Sequence, residues 1–341
     1  MITLLVNLTA CKKAEKEIRY DSTFLELFDT VTEVVGYAKD KEEFTKFSQT
    51  VYDELKTYHE LYDIYNTYDG INNIKTINDN AGIQPVKVDQ KIIDLIKFAE
   101  DAYELTDGQI NIAFGAVLEV WHKYRSNGIE DPRKAQLPPM ELLQEKSEHT
   151  DINKIIIDEV NSTVYLEDPE MSLDVGAIAK GYATEMVAQY LIKNGCKNAM
   201  LSVGGNVRTI GTKSKSENNV PWNVGIQNPD MESDQKNLYI LELDDRSLVT
   251  SGDYQRYYVV DGKKYHHIID LETLMPSDYF TAVSIVTTHS GLADALSTAI
   301  FNMPYEEGLA LIERMDDTEA LWVFKDGQMK YSSHFEDYIH N

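Results

Sequence analysis

Strand-forming segments crowd into one long block of the chain, and this block constrains the fold most. Between residues 198 and 290 the sequence runs through A-M-L-S-V, N-V-R-T-I-G, W-N-V-G-I, L-Y-I-L-E-L, R-Y-Y-V-V, H-H-I-I-D and F-T-A-V-S-I-V-T-T. β-Branched and aromatic residues fill these segments, which is typical of strands. Helical patterns lie outside the block. Such a separation favours an α+β fold with a mainly antiparallel sheet and flanking helices over a doubly wound α/β fold.

The spacing of apolar residues predicts helices on both sides of the strand block. They cover residues 41–62, 89–105, 176–194, 291–302 and 304–315. Residues 24–37 predict a strand or one arm of a hairpin, residues 154–167 predict a hairpin, and a last pair of short strands follows residue 315. No fixed-period repeat or low-complexity linker divides the chain, so we expect one domain over residues 22–341.

The chain carries a strong excess of acidic residues. Its 57 acidic and 32 basic residues give a formal net charge of −25. Nucleic-acid binders need a basic face, so the composition argues against a nucleic-acid partner. The same charge would repel a free dinucleotide unless a cation or positioned donors neutralised its phosphates. A nucleotide ligand would therefore imply a metal ion.

An apolar run opens the sequence and stops at a cysteine. The run M-I-T-L-L-V-N-L-T-A is too short to span a membrane. Its end, L-T-A followed by Cys11, resembles a bacterial lipobox. That resemblance predicts a lipoprotein signal peptide over residues 1–11, a lipid on Cys11, a tether over residues 12–21 and attachment to the extracytoplasmic face of the cell membrane. The alternative is an ordinary chain end with a cysteine of the buried kind.

The segment S-L-D-V-G-A-I-A-K-G-Y-A-T-E, residues 172–185, combines a carboxylate, small residues and a lysine at a predicted helix start. Asp174 precedes Gly176 and Ala177, where the backbone can approach a ligand closely. Lys180 lies one turn further on, over helix N–H groups that favour anions. The segment predicts a diphosphate site. Taken alone, a capped helix start with an exposed lysine would explain it at least as well.

Paired glycines follow a predicted strand in L-S-V-G-G-N-V, residues 201–207. Gly204 and Gly205 indicate a tight turn or bulge, or a surface on which a flat ring can lie. The dinucleotide fingerprint G-x-G-x-x-G is absent, and a strand follows the glycines, not a helix. The segment therefore does not predict that kind of nucleotide site.

Two adjacent histidines follow T-S-G-D-Y-Q-R in the chain, at the start of H-H-I-I-D. Neighbouring side chains of a strand point to opposite faces, so only one of His266 and His267 can serve a given pocket. A histidine with a pKa near about 6.5 can accept a proton from a hydroxyl nucleophile at neutral pH. The alternative is a half-buried structural histidine, which is also how His122 and the remaining histidines are interpreted.

A carboxylate and a hydroxyl lie four residues apart in A-D-A-L-S-T-A, residues 293–299. In a helix, Asp294 and Thr298 share one face, where both oxygens can meet the same hard cation. Magnesium takes one or two carboxylates and leaves its other positions to water and phosphate oxygens, so the pair fits a metal that bridges a diphosphate. The alternative is an acidic residue at a helix N-terminus and a threonine that bonds back to a carbonyl.

In this order, the segments resemble the ApbE-type FAD:protein FMN transferases. The matching stretches are S-L-D-V-G-A-I-A-K-G-Y-A, S-V-G-G-N-V, T-S-G-D-Y-Q-R, H-I-I-D and A-D-A-L-S-T-A. Upstream, F-D-T-V near Thr30, Y-D-G-I-N-N-I-K-T-I-N near Tyr68 and T-D-G-Q-I-N near Asn111 are also similar to family signatures. The resemblance covers the chain from about residue 22 to 330, and it implies the family's α+β fold, related to the T-fold.

The resemblance also implies an activity: magnesium-dependent transfer of FMN from FAD to a threonine or serine hydroxyl, with release of AMP. The acceptor would be an extracytoplasmic redox protein with a D-G-A-T-like motif. FAD would lie in a cleft between lobes. The residues that would contact it are Tyr68, Gln109, Ile110, Asn111, Asp174, Lys180 and Ile269.

The metal ligands and the base follow from the same resemblance. The carbonyl oxygen of Ala177 would bind magnesium together with Asp294 and Thr298. Ser297 stands where family members often have another polar residue near that metal. His267 would be the base that activates the acceptor hydroxyl.

The chain departs from the family pattern after His267. The family continues H-I-I-D-P-x-T-G-x-P, whereas this sequence has H-I-I-D-L-E-T-L-M-P, with Leu271 and Leu274 in place of proline and glycine. We expect an altered acceptor loop at the edge of the site. One alternative is a lipoprotein that binds or hydrolyses FAD without a protein acceptor. Another is a solute-binding or structural lipoprotein, in which Asp294, Thr298 and His267 would share no role.

Overall fold

The computed structural model describes residues 17–213 and 219–340. Within that part of the chain the helices are α1 (Lys41–Tyr62), α2 (Ile74–Asp79), α3 (Gln90–Leu105), α4 (Gly115–Glu130), α5 (Met140–Ser147), α6 (Ala179–Lys193), α7 (Ser290–Ala299) and α8 (Tyr305–Ile312). The strands are β1 (Ile18–Phe24), β2 (Thr32–Ala38), β3 (Val86–Lys87), β4 (Ile155–Asp158), β5 (Thr163–Leu166), β6 (Ala199–Val203), β7 (Asn206–Ile210), β8 (Trp222–Gln227), β9 (Asn237–Leu243), β10 (Ser247–Gly252), β11 (Tyr257–Val260), β12 (Lys263–His266), β13 (Phe280–Thr287), β14 (Glu319–Phe324) and β15 (Met329–Tyr331).

A central antiparallel sheet organises these elements. Its eight strands lie in the order β1-β2-β6-β7-β10-β13-β14-β15. Side chains alternate between its faces, so that in β13 Val283 and Ile285 join one core cluster while Ala282 and Val286 join another. The predicted α+β fold with a mainly antiparallel sheet is confirmed.

Different kinds of element cover the two faces of the sheet. Helices α1 and α6 pack on β2 and β6, and helices α7 and α8 pack on β13 and β14. The opposite face is covered by the β8–β9 hairpin, whose Trp222, Val224 and Leu241 are buried against it. The site discussed below lies at the helical side, where α6 meets α7.

Helix α4 and the β11–β12 hairpin form a smaller unit beside the sheet. Gly128 of α4 lies against the ring of Tyr258 in β11, and a Cβ atom at position 128 would come within 2.6 Å of that ring. The same cluster contains Trp121, Ile269 and Leu274. This packing places one face of α4 next to the end of β12, where the two histidines lie.

Most predicted elements are present. The helices α1, α3, α7 and α8, the β4–β5 hairpin and most strands of the block from 198 to 290 agree with expectation to within a few residues. Helix α6 begins at Ala179, three residues later than predicted, because the Asp174 side chain accepts a hydrogen bond from the Gly176 N–H and holds this segment in a turn. Among the described helices, none is both long enough and apolar enough to serve as a transmembrane span.

Several elements differ from the predictions. The predicted strand over residues 24–37 is interrupted, because Phe28 and Asp29 adopt left-handed φ values of 54° and 51°. The predicted strand H-H-I-I-D ends at His266. Helices α2, α4 and α5 and strands β1, β3 and β10 were not predicted. Helix α4 buries mainly small residues and carries glycines at positions 115 and 128, so its sequence lacks a strong apolar stripe.

The predicted N-terminal features lie partly outside the described residues. The signal peptide of residues 1–11, with Cys11, falls entirely outside them. The predicted tether of residues 12–21 overlaps β1, in which Ile18 pairs with Ala38 and Asp21 with Val35. The sheet therefore begins before residue 22.

Candidate active site

Two loops lie side by side next to the start of α6. The backbone N–H of Asp174 donates to the carbonyl oxygen of Ile112 over 2.8 Å. A Cβ atom on Gly115 would lie 2.2 Å from the carbonyl oxygen of Ser172, so only glycine permits this approach. The contacts bring the predicted FAD-binding residues 109–111 next to Asp174.

Asp174 links the turn before α6 to helix α4. Its Oδ1 accepts a hydrogen bond from the Gly176 N–H over 2.8 Å, and its Oδ2 lies 3.8 Å from Nε2 of His122. The Nδ1 of His122 lies 3.0 Å from the hydroxyl oxygen of Tyr65. Burial lowers the pKa of His122, and the neighbouring Asp174 opposes that shift. His122 was missed from the sequence because the helix that carries it was not predicted.

The other predicted FAD contacts differ in what they can offer a ligand. The side chains of Ile110 and Ile269 are 2% and 4% exposed and belong to the core, so only their backbone could face a ring. Both ends of the Asn111 amide are engaged, with the Thr150 carbonyl and the Ala113 N–H. Gln109 is half-buried.

Tyr68 lies in the loop after α1. Its hydroxyl donates to Oδ2 of Asp63 over 2.7 Å. Burial and this hydrogen bond raise the pKa of Tyr68. The phenol is therefore neutral at physiological pH and can present its ring to a ligand.

Helices α6 and α7 meet along a seam formed by Gly181, Ser290 and Asp294, which we call the α6–α7 seam. A Cβ atom on Gly181 would lie 2.4 Å from the Ser290 carbonyl oxygen and 2.5 Å from the Asp294 Cβ. This close approach lets the Gly181 N–H donate to Oδ2 of Asp294 over 2.8 Å. The ammonium of Lys180 lies 3.8 Å from the same oxygen. Burial raises the pKa of Asp294, while Lys180 and the Gly181 N–H oppose the rise.

Hydroxyl groups lie around the C-terminal part of α7, one turn after Asp294. Ser251 of β10 places its Oγ 2.8 Å from Oγ of Ser297 and 3.5 Å from Oγ1 of Thr298. Ser297 also donates back to the Asp294 carbonyl over 3.0 Å. The predicted pair Asp294 and Thr298 thus lies on one face of α7, and Ser251 is an additional neighbour that the sequence analysis did not assign.

The donor set fits a hard divalent cation whose remaining ligands come from phosphate and water. Asp294 supplies one carboxylate, Thr298 supplies a hydroxyl, and Ala177 lies in the turn before α6. The buried side-chain amide of Asn206 lies beside Asp294 and acts to lower the pKa of that carboxyl. No cluster of three or more His, Cys, Asp or Glu side chains suited to a metal occurs in residues 17–213 and 219–340. A cation here would depend on oxygen atoms of a bound ligand.

The two histidines have different environments. His266 donates from Nε2 to the Ser277 carbonyl over 2.7 Å and accepts the Ile268 N–H at Nδ1, so its ring is fully used within the fold. His267 has a buried Nδ1 without a hydrogen-bond partner. His266 is therefore the histidine whose ring is used within the fold, although the strand from which the alternation was argued ends at His266 and does not include His267.

Positive charges surround His267. Burial lowers its pKa to about 3, and the nearby Arg256, Arg125 and Lys180 act in the same direction. The imidazole is therefore neutral at pH 7 and can accept a proton. We call the group formed by Arg125, Arg256 and His267 the cationic rim.

The turn after Ile269 keeps its hydrogen bonds despite the two leucines. Oδ1 of Asp270 accepts from the N–H groups of Glu272 and Thr273, each over 2.8 Å, and the Leu274 N–H donates to the Asp270 carbonyl over 2.9 Å. Leu274 has a left-handed φ of 60°, in the position where the family pattern has glycine. The backbone turn is therefore retained, while the leucine side chain is buried beside Trp121.

The paired glycines form the tight turn between β6 and β7, with φ values of 58° and 89°. A Cβ atom on Gly204 would lie 2.7 Å from Oγ1 of Thr30, so this turn packs against the F-D-T-V segment. Of the two interpretations of Gly204 and Gly205, the tight turn is the one observed.

Comparison with known proteins identifies the family and supports the fold. A sequence model described as the ApbE family matches residues 28–322. An FAD:protein FMN transferase of Klebsiella pneumoniae is 31% identical over 284 residues, which cover 83% of this chain and 84% of that protein. An FAD:protein FMN transferase of Treponema pallidum is 33% identical over 277 residues, covering 78% and 74% of the two chains. The crystal structure of the ApbE protein of Thermotoga maritima is similar with a TM-score of 0.82 and 27% identity, over 95% of this chain and 100% of that one.

Proposed function

Because the chain belongs to the ApbE family, we propose that it transfers the FMN half of FAD to a threonine or serine hydroxyl of an acceptor protein and releases AMP. The observation that carries the proposal is the position of His267. A neutral imidazole with an unpartnered nitrogen lies among cationic side chains that include Lys180, which itself lies 3.8 Å from the buried Asp294. Such a base beside a diphosphate-type site suits phosphoryl transfer.

The transfer step balances without any redox partner. His267 accepts the proton of the acceptor hydroxyl, and the hydroxyl oxygen bonds to the phosphorus of the FMN half. The bond from that phosphorus to the bridging oxygen breaks, and AMP leaves with this oxygen and the bonding electrons. Anionic substrate beside His267 would raise the pKa of the imidazole from about 3 and make it a stronger base when FAD is present.

The chain's own residues would hold the diphosphate. Lys180 supplies a fixed positive charge at the first turn of α6, and the Gly181 N–H keeps the Asp294 carboxylate in one orientation. Magnesium held by Asp294, Thr298 and the Ala177 carbonyl would reduce the negative charge on the phosphates. Ser297 and Ser251 would fix the Thr298 hydroxyl from behind.

The decisive experiment supplies FAD, magnesium and an acceptor domain with a D-G-A-T motif. We expect a covalent, fluorescent FMN adduct on the domain and an equal amount of AMP, and chelation of the metal should stop both. AMP without an adduct would favour the alternative, an FAD-hydrolysing protein in which water takes the acceptor's place. Absence of both products would contradict the proposal.

Substitution of the proposed base, His267, distinguishes FAD binding from the transfer step. We expect His267→Ala to keep the FAD dissociation constant, measured by flavin fluorescence, and to slow transfer by roughly 100-fold or more. His334→Ala is the matched control, because His334 lies on the exposed surface near the C-terminal end of the described chain. Normal transfer by His267→Ala would remove the histidine from the mechanism.

We also propose that the protein works on the extracytoplasmic face of the cell membrane, anchored through a lipid on Cys11, with an extracytoplasmic redox protein as acceptor. The L-T-A-C sequence supports the anchor. Mass spectrometry should detect a diacylglyceryl group on Cys11, and Cys11→Ser should move the protein from the membrane fraction to the soluble fraction. An unmodified Cys11 in membrane-fraction protein would contradict the anchor.

A further inference from the structure

Two arginines of the cationic rim have no carboxylate partner within residues 17–213 and 219–340, and neither makes a side-chain hydrogen bond there. Four of the other arginines pair with carboxylates at nitrogen-to-oxygen distances of 2.9 to 3.1 Å; they are Arg19, Arg133, Arg208 and Arg246. The fifth, Arg314, also has no ion-pair partner in the described residues, but it lies on the exposed surface. In a chain with 57 acidic residues, two adjacent guanidinium groups without a partner are unusual. They are groups to which a ligand can supply the missing charge.

Strand pairing places Arg256 beside His267, and the helix face that carries Arg125 is directed toward the same site. In the β11–β12 hairpin Tyr257 pairs with His266. Arg256 comes just before Tyr257 and His267 just after His266, so these two residues face each other where the paired strands end. Arg125 lies on α4 one turn after His122, and residues three apart share a helical face. His122 lies 3.8 Å from Asp174, so this face of α4 is directed toward the site.

Electrostatics favour an anion between the two arginines. Burial lowers the pKa of Arg125 and Arg256 lowers it further by repulsion, while Tyr65 and Asp174 oppose the shift. Arg125 is half-buried, so its charge is only partly solvated. A carboxylate or phosphate oxygen between the guanidinium groups would relieve both the desolvation and the repulsion.

We propose that Arg125 and Arg256 form a subsite for an acidic side chain of the acceptor protein, next to the hydroxyl that receives FMN. This inference rests on the proposed function. In an in-line displacement the attacking oxygen and the departing AMP lie on opposite sides of the phosphorus. His267 must touch the attacking hydroxyl, so the arginines that flank His267 lie on the acceptor's side. Lys180 and Asp294 serve the diphosphate.

The subsite would also offset the electrostatic repulsion between this protein and an acidic acceptor. A protein with a net charge of −25 repels an acidic acceptor over most of its surface. Two unpaired arginines at the site would attract the acidic residue of a D-G-A-T-like motif and set the register of the neighbouring threonine. Arginine suits this task because its planar fork can bind a carboxylate through two parallel hydrogen bonds.

The test uses the whole protein, a flavin-acceptor domain with a D-G-A-T motif, and the same domain with its aspartate changed to asparagine. We expect Arg125→Gln and Arg256→Gln each to raise the KM for the acceptor by about 10-fold or more. The FAD dissociation constant should change by less than about twofold. The exposed Arg133, which pairs with Asp131, provides the matched control Arg133→Gln, which should leave both constants unchanged.

The aspartate-to-asparagine acceptor tests the pairing without altering the fold of the enzyme. It should raise KM for the unmodified enzyme by a similar factor, and the arginine variants should show little further loss with it. Independent, multiplicative losses would overturn the proposal, as would variants with an unchanged acceptor KM. A weakened FAD affinity of the same size would overturn it too, because the arginines would then hold the diphosphate. If the unmodified enzyme forms no adduct at all, the proposed function has failed, which is a distinct result.

Discussion

The α6–α7 seam and the cationic rim are both polar, but they satisfy their charges in different ways. In the seam, the Asp294 carboxylate is 5% exposed, is held by the Gly181 N–H and faces Lys180. In the rim, Arg125, Arg256 and Nδ1 of His267 have no hydrogen-bond partner in the described residues. Folding therefore supplies partners for the Asp294 carboxylate of the seam, whereas the guanidinium groups of the rim are left for what binds to them. Variants of the seam should change stability and metal use, and variants of the rim should change the handling of substrate.

The largest effect is expected for Asp294→Asn. Asparagine can still accept the hydrogen bond of the Gly181 N–H, so the seam should remain folded. The negative charge is lost, and with it the carboxylate ligand for magnesium, so transfer should fall by roughly 100-fold or more at saturating FAD. The measurement is the rate of adduct formation as a function of magnesium concentration.

Asp278→Asn is the control for that variant, because Asp278 is an exposed carboxylate that only pairs with Lys325. It should behave like the unmodified protein. An Asp294→Asn variant with full activity and the same magnesium dependence would break the distinction between seam and rim.

Gly181→Ala should destabilise the seam itself. The added methyl group would lie 2.4 Å from the Ser290 carbonyl and 2.5 Å from the Asp294 Cβ, so α6 and α7 must move apart. Overpacking of this kind costs about 1–3 kcal/mol of unfolding free energy, measured by urea denaturation. Gly327→Ala is the comparison, since nothing lies within 4 Å of its Cβ position and only its left-handed φ is strained. An unchanged unfolding free energy for Gly181→Ala would show that the seam is not closely packed.

The seam could be predicted from the sequence better than the rim. Asp294 and Thr298 are four residues apart on a helix, and the helix period alone places them on one face. Lys180 and Gly181 lie in the segment of residues 172–185, which the sequence already indicated as a diphosphate site. Arg125 gives no such signal, because it becomes part of the site only through the packing of α4 on β11, and α4 itself lacks a strong apolar stripe.

The strand block likewise was predictable, while its ends were not. Runs of β-branched and aromatic residues identified most strands of the block, although β10 was missed. The interruption of the predicted strand at residues 24–37 was not predictable. Phe28 and Asp29 adopt left-handed φ values there, and no local sequence pattern indicates such a conformation at these residue types. His267 could be singled out as one of two candidates, and only the hydrogen bonds of His266 decided between them.

The rim should also make stability depend on pH. The pKa of His267 is about 3 in the folded protein, below the value of about 6.5 expected in the unfolded chain. As pH falls below about 6.5 the unfolded chain binds the proton first, so this contribution to stability is present above pH 6.5 and is lost toward pH 3. Between pH 7 and pH 5 the unmodified protein should lose roughly 2 kcal/mol more than His267→Gln, measured by urea denaturation. His334→Gln should lose as much as the unmodified protein, and a His267→Gln variant with the same pH slope would show that the rim does not hold this histidine neutral.

The smallest net effect is expected at Leu274, where the edge of the rim departs from the family pattern. The residue combines a left-handed φ of 60° with a buried side chain, and its carbonyl accepts a hydrogen bond from the Trp121 indole. Leu274→Gly removes the strain of about 1–2 kcal/mol but also about 2 kcal/mol of apolar burial, so the unfolding free energy should change by less than about 1 kcal/mol. Leu274→Ala removes burial and keeps the strain, so it should be the more destabilising of the two. At Leu143, which is buried within α5, the order should reverse, because glycine is the poorer helix residue. If Leu274→Gly were more destabilising than Leu274→Ala, the backbone of Leu274 would not be strained in this turn. The departure from the family pattern would then change only the side chains of the acceptor loop.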